Sequence, residues 1–481
     1  LSRPAVDLRE APLAARSFDR LSDQLDSAAR ERLLAAREDA RATLQDRRVW
    51  WVNSTSRGGG IAEMLRTLLP YWRGSGIDSR WLVLEAPSAY FRLTKHLHNL
   101  LHGIPGRPPT SRDRALFESV AAVVGAMARE LVAPGDVVVL EDPQTAGLVP
   151  ELAGRGATVI WRSHVGADRM SPAVESAWRF LLPFVEAADA LLFTRREYVP
   201  AELEDSRTWV LPPAIDPLSA KNQPLPAAAS EAIMQRCGLA RARHRGGSTR
   251  VALQDGRIVD VRRRCGVLRE DRPPRLDADR LVVALARWDR LKDPSGIVRG
   301  FASRVRHPRA RLIVAGPASG AIADDPGSRA VLREVHGSWR ELPRSRRSRI
   351  DVVTLPMVDV DENSLMVNAL QRQASVVVKK SLQEAFGLGV TEGLWKARPV
   401  VASGVGGHRD QVEDHRTGLL VDDPTDLTAF GAAIDELLDD PEQASALGRA
   451  GRERVRSRFL ADRHFIQWTA MLNEILLPAA V

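Results

Sequence analysis

Two cations and two carboxylates in the second half of the chain have the spacing with the most chemical content. Arg287 and Lys292 stand five residues apart in Arg-Trp-Asp-Arg-Leu-Lys-Asp-Pro, just after an apolar run. The fork of an arginine and the point charge of a lysine together suit a diphosphate. If that diphosphate is a leaving group, the pair stabilises charge that grows in the transition state. Glu384 and Glu392 stand eight residues apart in Glu-Ala-Phe-Gly-Leu-Gly-Val-Thr-Glu, after the apolar run 376–378 and Lys379-Lys380. Gly387 and Gly389 allow close backbone approach, and a helix starting there offers free N–H groups to phosphate. Glu384 is suited to accept hydrogen bonds from sugar hydroxyls, and Glu392 to reach a ribose diol. Each residue taken alone also reads as surface charge, or as a glutamate favoured by the dipole of a helix start.

The first half offers weaker signals. Arg57-Gly58-Gly59-Gly60 lies between an apolar run and a helical pattern, which suits either an anion or a tight turn. It is not GxGxxG, so no dinucleotide fingerprint is present. Three polar clusters are expected at strand ends: Glu141-Asp142-Pro143-Gln144, Arg162-Ser163-His164, and 95–99 with Lys95, His96 and His98. A loop position favours ligand binding over packing. No spacing resembles a zinc site and no Ser-His-Asp arrangement stands out, so no metal is expected.

The elements that must position these residues alternate along the chain. Strands are expected at 49–52, 81–84, 137–140, 159–161 and 191–193, with helices between them that include 114–132 and 173–187. A second series has strands at 281–286, 311–315, 351–355, 375–378 and 399–402. Its helices are expected at 294–304, 328–340, 361–373, 388–396, 425–438 and 440–457. Such alternation implies parallel sheets with helices on both faces. The fold class is therefore α/β, with two Rossmann-like doubly wound domains facing a cleft. Residues 1–46 read as a helical extension and 47–217 as the first domain. Residues 218–279 read as a linker and arginine-rich insertion, 280–457 as the second domain, and 458–481 as a C-terminal helix that crosses back. Within the insertion, VALQDGRIVDV has Asp-Gly between two apolar runs, a β-hairpin signal.

Length and composition agree with two domains. A chain of 481 residues exceeds what one core serves. Hydrophobic residues make up 44% and charged residues 27%, ordinary for a globular protein. No apolar run is long enough to span a membrane, and the first residues lack an apolar signal core. Two cysteines, Cys237 and Cys265, make no disulfide framework, so a cytoplasmic protein is expected. The net charge is +8, yet only six of the 69 basic residues are lysines. That bias reads as coding composition and not as a nucleic-acid surface. Four of the six lysines fall near the motifs above.

Taken together, these residues resemble the family-four retaining glycosyltransferases, of GT-B type. Glu384 and Glu392 match that family's glutamate pair, and Arg287 and Lys292 its diphosphate clamp. Val52-Asn53-Ser54 with Gly58–Glu63, Thr94-Lys95 with His98-Asn99, Asp142-Pro143-Gln144, Trp161-Arg162 with His164, and Asn368 through Arg372 resemble more narrowly the trehalose glycosyltransferring synthases. The resemblance covers roughly residues 48–215 and 280–455. It implies transfer of glucose from a nucleoside-diphosphate (NDP) glucose to free glucose, with retention and no cofactor or metal. Arg287, Lys292 and Glu384 would be catalytic. Gly59, Gly60, Phe386, Gly387, Leu388, Thr391 and Glu392 would bind the donor. Lys95, His98, Asp142, Gln144, Arg162 and His164 would bind the acceptor. The partners are NDP-glucose and a small sugar, with no nucleic acid and no membrane; a homodimer is allowed. Three positions depart from the family pattern: Ala385 replaces a glycine, Glu141 a histidine, and His408 an aliphatic residue. Transfer to another small acceptor, a sugar-nucleotide epimerase and a non-catalytic sugar-nucleotide sensor remain open alternatives.

Overall fold

A computed structural model of the chain describes residues 6–56, 59–241, 247–318 and 327–477. The chain divides into two compact units. One comprises the residues up to Ala214 together with those from Ala461 onward, and the other is Ile215–Leu460.

The first unit holds a seven-stranded sheet: β1 (Asp7–Glu10), β2 (Arg48–Asn53), β3 (Asp78–Glu85), β4 (Val137–Glu141), β5 (Thr158–Ser163), β6 (Ala190–Phe193) and β7 (Thr208–Val210). Its order is β1-β3-β2-β4-β5-β6-β7, parallel except for β1 against β3. Strands covered on both faces read as continuous apolar runs, as in the Val-Val-Val-Leu of β4. Alternate residues serve opposite cores. Trp50, Val52, Val138 and Leu140 face the layer of helices Ser88–Leu101, Ser111–Leu131 and Pro172–Val185. Val49, Trp51, Val137 and Val139 face Ser27–Thr43, Gly60–Gly74 and Ala461–Leu476. In that second layer Trp468 packs on Trp51 with ring centroids 4.7 Å apart. The expectation of helix alone over 1–46 is corrected by β1. Its residues pair with the open edge of β3, and only Leu8 turns inward. Tertiary pairing here overrides local composition.

The second unit opens with helix Ala227–Arg236 and a hairpin of β8 (Arg250–Ala252) and β9 (Ile258–Asp260), which turns at Asp255-Gly256 with Gly256 at φ 88°. Then come β10 (Gly266–Leu268), β11 (Arg280–Leu285), β12 (Ala310–Pro317), β13 (Ile350–Leu355), β14 (Val376–Lys379), β15 (Val400–Ser403) and β16 (Leu419–Val421). They form a sheet in the order β10-β13-β12-β11-β14-β15-β16, parallel except for β10. Residues 218–279, expected as a separate linker and insertion, instead belong to this unit. The reason is visible in its contacts. β10 extends the sheet, and Glu362 accepts from the backbone N–H groups of Arg262 and Arg263 at 2.7 Å each. Residues 242–246 of that segment lie outside the described residues.

Both sheets reverse direction at one point. In the second, successive strands build outward from β11 on one side and continue from β14 on the other. In the first, the corresponding neighbours are β2 and β4. Doubly wound sheets bind ligands outside the carboxyl ends of strands at such a reversal. Among the described residues, no helix is long and apolar enough to cross a membrane.

Candidate active site

The loops after β11 and β14 meet at the reversal in the second unit. The loop after β11 is pinned by the buried Trp288, whose indole donates to Pro317 O at 2.8 Å. Leu382 N donates to Leu291 O at 2.7 Å and ties the two loops together. Asp293, in the left-handed region at φ 44°, caps helix Pro294–Arg304 and ion-pairs with Lys380. Arg287 stands half-buried two residues beyond β11. Lys292 reaches across to Glu384, with Nζ 2.6 Å from Oε1. Ser381 Oγ donates to the other carboxylate oxygen at 3.0 Å. Burial alone would raise the Glu384 pKa, but the charge and hydrogen bond of Lys292, with His408 and Lys379 beside it, overcome burial and hold it down to about 2. The carboxylate is therefore ionised at neutral pH and accepts hydrogen bonds; it cannot donate a proton.

The motif after Glu384 is shaped by close approach. Gly387 sits at φ 86° and caps helix Leu388–Trp395. A Cβ at Gly389 would meet the ammonium end of Lys379, so glycine leaves room for that lysine beneath the helix start. Lys379 in turn donates to Leu285 O at the end of β11. Glu392 receives Gln371 Nε2 at 3.1 Å and lies 3.4 Å from Lys221 Nζ. Burial opposes its ionisation, yet Lys221, Lys396 and Lys379 together lower its pKa. Thr391 hydrogen-bonds Gln411, which also donates to Phe386 O, so 384–391 is clamped by the short helix Gly407–Gln411. His408 on that helix is buried beside Glu384. Its Nδ1 lies 3.1 Å from Ser403 O and its Nε2 lies 3.7 Å from Glu384 Oε2. Burial holds its pKa down to about 4. Five of the six lysines, at 221, 292, 379, 380 and 396, thus surround these two loops. Lysine scarcity hinted at this cluster. Gln411 carried no signal in the sequence, Lys221 only its scarcity and Gln371 only its place in 368–372, because their partners lie far along the chain.

In the first unit, the reversal brings together three of the expected acceptor residues. Asp142, at φ 66°, accepts from His164 N at 2.7 Å, while its own N–H donates to Arg162 O at 2.7 Å. Burial pushes the Asp142 carboxyl up to about 6. His164 Nε2 lies 2.7 Å from Glu141 Oε2, and Thr194 Oγ1 lies 3.3 Å from Nδ1. Arg162 is fully buried, with its guanidinium 5.5 Å from the Trp468 ring and Nη2 donating to Leu211 O at 3.3 Å. Glu141 Oε1, Gln144 Oε1, and Arg162 Nε and Nη1 are buried with no hydrogen-bond partner among the described residues. Buried polar groups are normally satisfied, so this set calls for a polar ligand or water. Lys95 and His98 correct an expectation. They do not sit at a strand end but within helix Ser88–Leu101, whose Leu93, Leu97 and Leu100 are buried at helical spacing. Tyr90 on that helix donates to Gln144 O at 2.7 Å and holds it against the loop after β4. Gly59 caps helix Gly60–Gly74 at φ 81° with open space before it. Arg57 and Gly58 lie outside the described residues. No group of three or more His, Cys, Asp or Glu among the described residues is arranged to hold a metal.

Comparison with known proteins places the chain in a family. Residues 51–200 match the family described as trehalose synthase, N-terminal domain, and residues 269–454 match glycosyl transferases group 1. The chain is 32% identical to the trehalose synthase of Rubrobacter xylanophilus, over 90% of this chain and 92% of that one. It is 30% identical to the trehalose synthase of Pyrococcus horikoshii, over 88% and 89% respectively. Among solved structures, the UDP-forming α,α-trehalose-phosphate synthase of Burkholderia xenovorans, in complex with glucose-6-phosphate, has the same fold. Its TM-score is 0.66 at 14% identity, over 89% of this chain and 100% of that one. The chain belongs to the trehalose synthase family of GT-B glycosyltransferases.

Proposed function

We infer that this protein is a retaining glycosyltransferase that moves glucose from an NDP-glucose to free glucose and forms trehalose. The observation that carries this reading is the pair of ionised, lysine-ringed glutamates at the strand reversal of the second unit. Arg287 and Lys292 bind the diphosphate there and stabilise it as it departs. Lys292 is engaged with Glu384 in the structure, so a bound phosphate competes for its remaining donors. Glu384 orients the transferred sugar, Glu392 the ribose, and the N–H groups at Phe386, Gly387 and Leu388 the phosphate or sugar oxygens. Thr391, expected to touch the donor, is instead fully buried with its hydroxyl donating to Gln411, and so fixes the helix that carries Glu392. Gly59 caps its helix with open space before it, which a phosphate or sugar oxygen could occupy.

The acceptor is read by Asp142, Gln144, Arg162 and His164, with Lys95 and His98 from the helix tied to that loop. The unpartnered atoms of Gln144 and Arg162 suit hydroxyls, which both donate and accept. With Glu384 ionised, the acceptor's proton goes to the departing phosphate on the same face, and the configuration at the anomeric carbon is retained. The protein then acts chiefly by positioning the two sugars, a contribution that can be large. No metal is needed in this scheme, since lysine, arginine and helix N–H groups supply the positive charge. The test is incubation with UDP-, ADP- and GDP-glucose and a panel of sugar acceptors, read by mass spectrometry. A disaccharide formed with glucose supports the assignment. Transfer to another sugar but not to glucose overturns the acceptor. An altered sugar still bound to NDP overturns the transferase reading.

A further inference from the structure

The stretch Asn368 through Arg372 belongs to neither sugar site, yet two of its side chains converge on one loop, 216–223. Asn368, fully buried on helix Val360–Gln373, donates through Nδ2 to Ala220 O and to Gln223 O, at 3.0 Å each. Arg372 donates to Gln223 O at 2.9 Å, and its Nε donates to Asn368 Oδ1 at 2.8 Å. From the next helix, Trp395 Nε1 donates to Asn222 O at 3.2 Å. Lys396 Nζ donates to Asn222 Oδ1 at 2.9 Å. The loop is a run of turns with no helix or strand of its own, so these bonds set its course. What it carries is Lys221. Its side chain is only 15% exposed, and Nζ lies 3.4 Å from Glu392 Oε1. Gln371, between Asn368 and Arg372, donates to the other carboxylate oxygen at 3.1 Å. One helix thus fixes both partners of Glu392, Gln371 directly and Lys221 through the loop. The other lysines near Glu392 have further duties. Lys379 of β14 donates to Leu285 O, and Lys396 is held by Asn222 Oδ1 and Glu392 O. The arginines around them are turned away. Arg398 donates to Ala374 O, and Arg452 lies over the Trp395 ring. A buried ion pair is seldom the most stabilising choice for such a place, so stability alone does not account for Lys221.

We propose that Lys221 is a positioning residue for the donor. Carried on the loop that Asn368 and Arg372 hold, it works with Gln371 to keep the Glu392 carboxylate charged and aimed at the ribose diol. This rests on the assignment of Glu392 to the ribose. Lys221 acts through Glu392 and does not itself touch the nucleotide.

The test is calorimetric binding of free NDP between about pH 5 and 8, with whichever of UDP, ADP and GDP binds best. Lys221→Met should weaken binding about tenfold at pH 7, and Lys221→Arg should retain most of the affinity. Lys221 is the largest favourable charge on Glu392, so its removal lets the carboxyl pKa rise. As the solution is acidified, Lys221→Met should therefore lose NDP at a higher pH than the wild type does. The double variant Lys221→Met/Glu392→Gln strands no carboxylate, and it decides the point even where Lys221→Met folds poorly. It should bind NDP within about twofold of Glu392→Gln alone, because the two residues act as one unit. A double variant about tenfold weaker than Glu392→Gln puts Lys221 on the nucleotide itself and overturns the proposal. Lys221→Met with the affinity and pH dependence of the wild type also overturns it. Glu392→Gln that binds NDP as tightly as the wild type overturns the ribose assignment, and this inference with it.

Discussion

Replacing Lys292 tests the geometry of the donor loops, because its removal strands a buried carboxylate. Glu384 is 9% exposed and its nearest cation is Lys292 Nζ at 2.6 Å. A carboxyl whose pKa falls from 4.5 to about 2 is held in its ionised form by about 3 kcal/mol. The pKa is depressed on folding, so this stability is complete above pH 4.5 and is lost as the pH falls towards 2. Lys292 is the largest favourable influence on Glu384. Lys292→Ala at pH 7 should therefore cost up to about 3 kcal/mol, near the ~3–5 kcal/mol typical of breaking a buried pair from one side. For a unit of this size that is on the order of 10 °C in melting temperature. The assay is thermal unfolding of the full chain followed by tryptophan fluorescence, with Lys292→Ala, Lys292→Ala/Glu384→Gln and Arg287→Ala side by side. Neutralising the stranded acid should restore most of the lost melting temperature but none of the activity. Arg287→Ala should melt closer to the wild type than Lys292→Ala, since Arg287 is only half-buried while Lys292 is the largest favourable influence on Glu384. Turnover should nonetheless fall about 10²–10³-fold in both single variants. A Lys292→Ala protein as stable as the wild type, or a double variant less stable than the single, would refute the reasoning.

Other outcomes follow from the same geometry. Burial raises the Asp142 carboxyl to about 6, so its ionised form costs the fold about 3 kcal/mol at pH 7. That cost is absent below pH 3.8 and complete above about 6. Asp142→Asn should thus raise the melting temperature at pH 7, with a gain that shrinks towards pH 5, while acceptor KM rises; a gain independent of pH would contradict the assignment. Glu392→Gln should weaken free NDP binding about tenfold, and Glu384→Gln should instead lower turnover about 100-fold at nearly unchanged NDP affinity. Equal effects of the two on NDP affinity would remove the division of roles. Activity in the presence of a chelator should stay within about twofold of the untreated enzyme, and loss restored by magnesium or manganese would show that a metal shares the diphosphate.

The architecture was legible where burial is two-sided. β2, β4, β11 and β14 are apolar runs because helices cover both faces, and the glycines and charges that follow them mark the ligand-binding ends. β7, β10 and β16 escaped because three residues at a sheet edge carry too little pattern. β1 escaped because its edge pairing with β3 depends on residues some seventy positions away. Within the site, motif residues next to one another in the chain could be read directly. Those supplied from a distance could not. His408 reaches Glu384, Lys221 reaches Glu392 and Thr194 reaches His164 only after the sheets have formed. Lys95 and His98 looked like loop residues because their polar run hides a helix whose apolar face lies on Leu93, Leu97 and Leu100.

The central claim is tested most directly by anomeric NMR of one reaction. The protein is incubated with α-configured NDP-glucose and 13C-labelled glucose, without added metal, and the product is followed from its first appearance. The account predicts a single anomeric signal for a symmetric α,α-linked disaccharide, with one equivalent of NDP released per disaccharide. A β-linked product, or release of NDP and free glucose with no disaccharide, would contradict it.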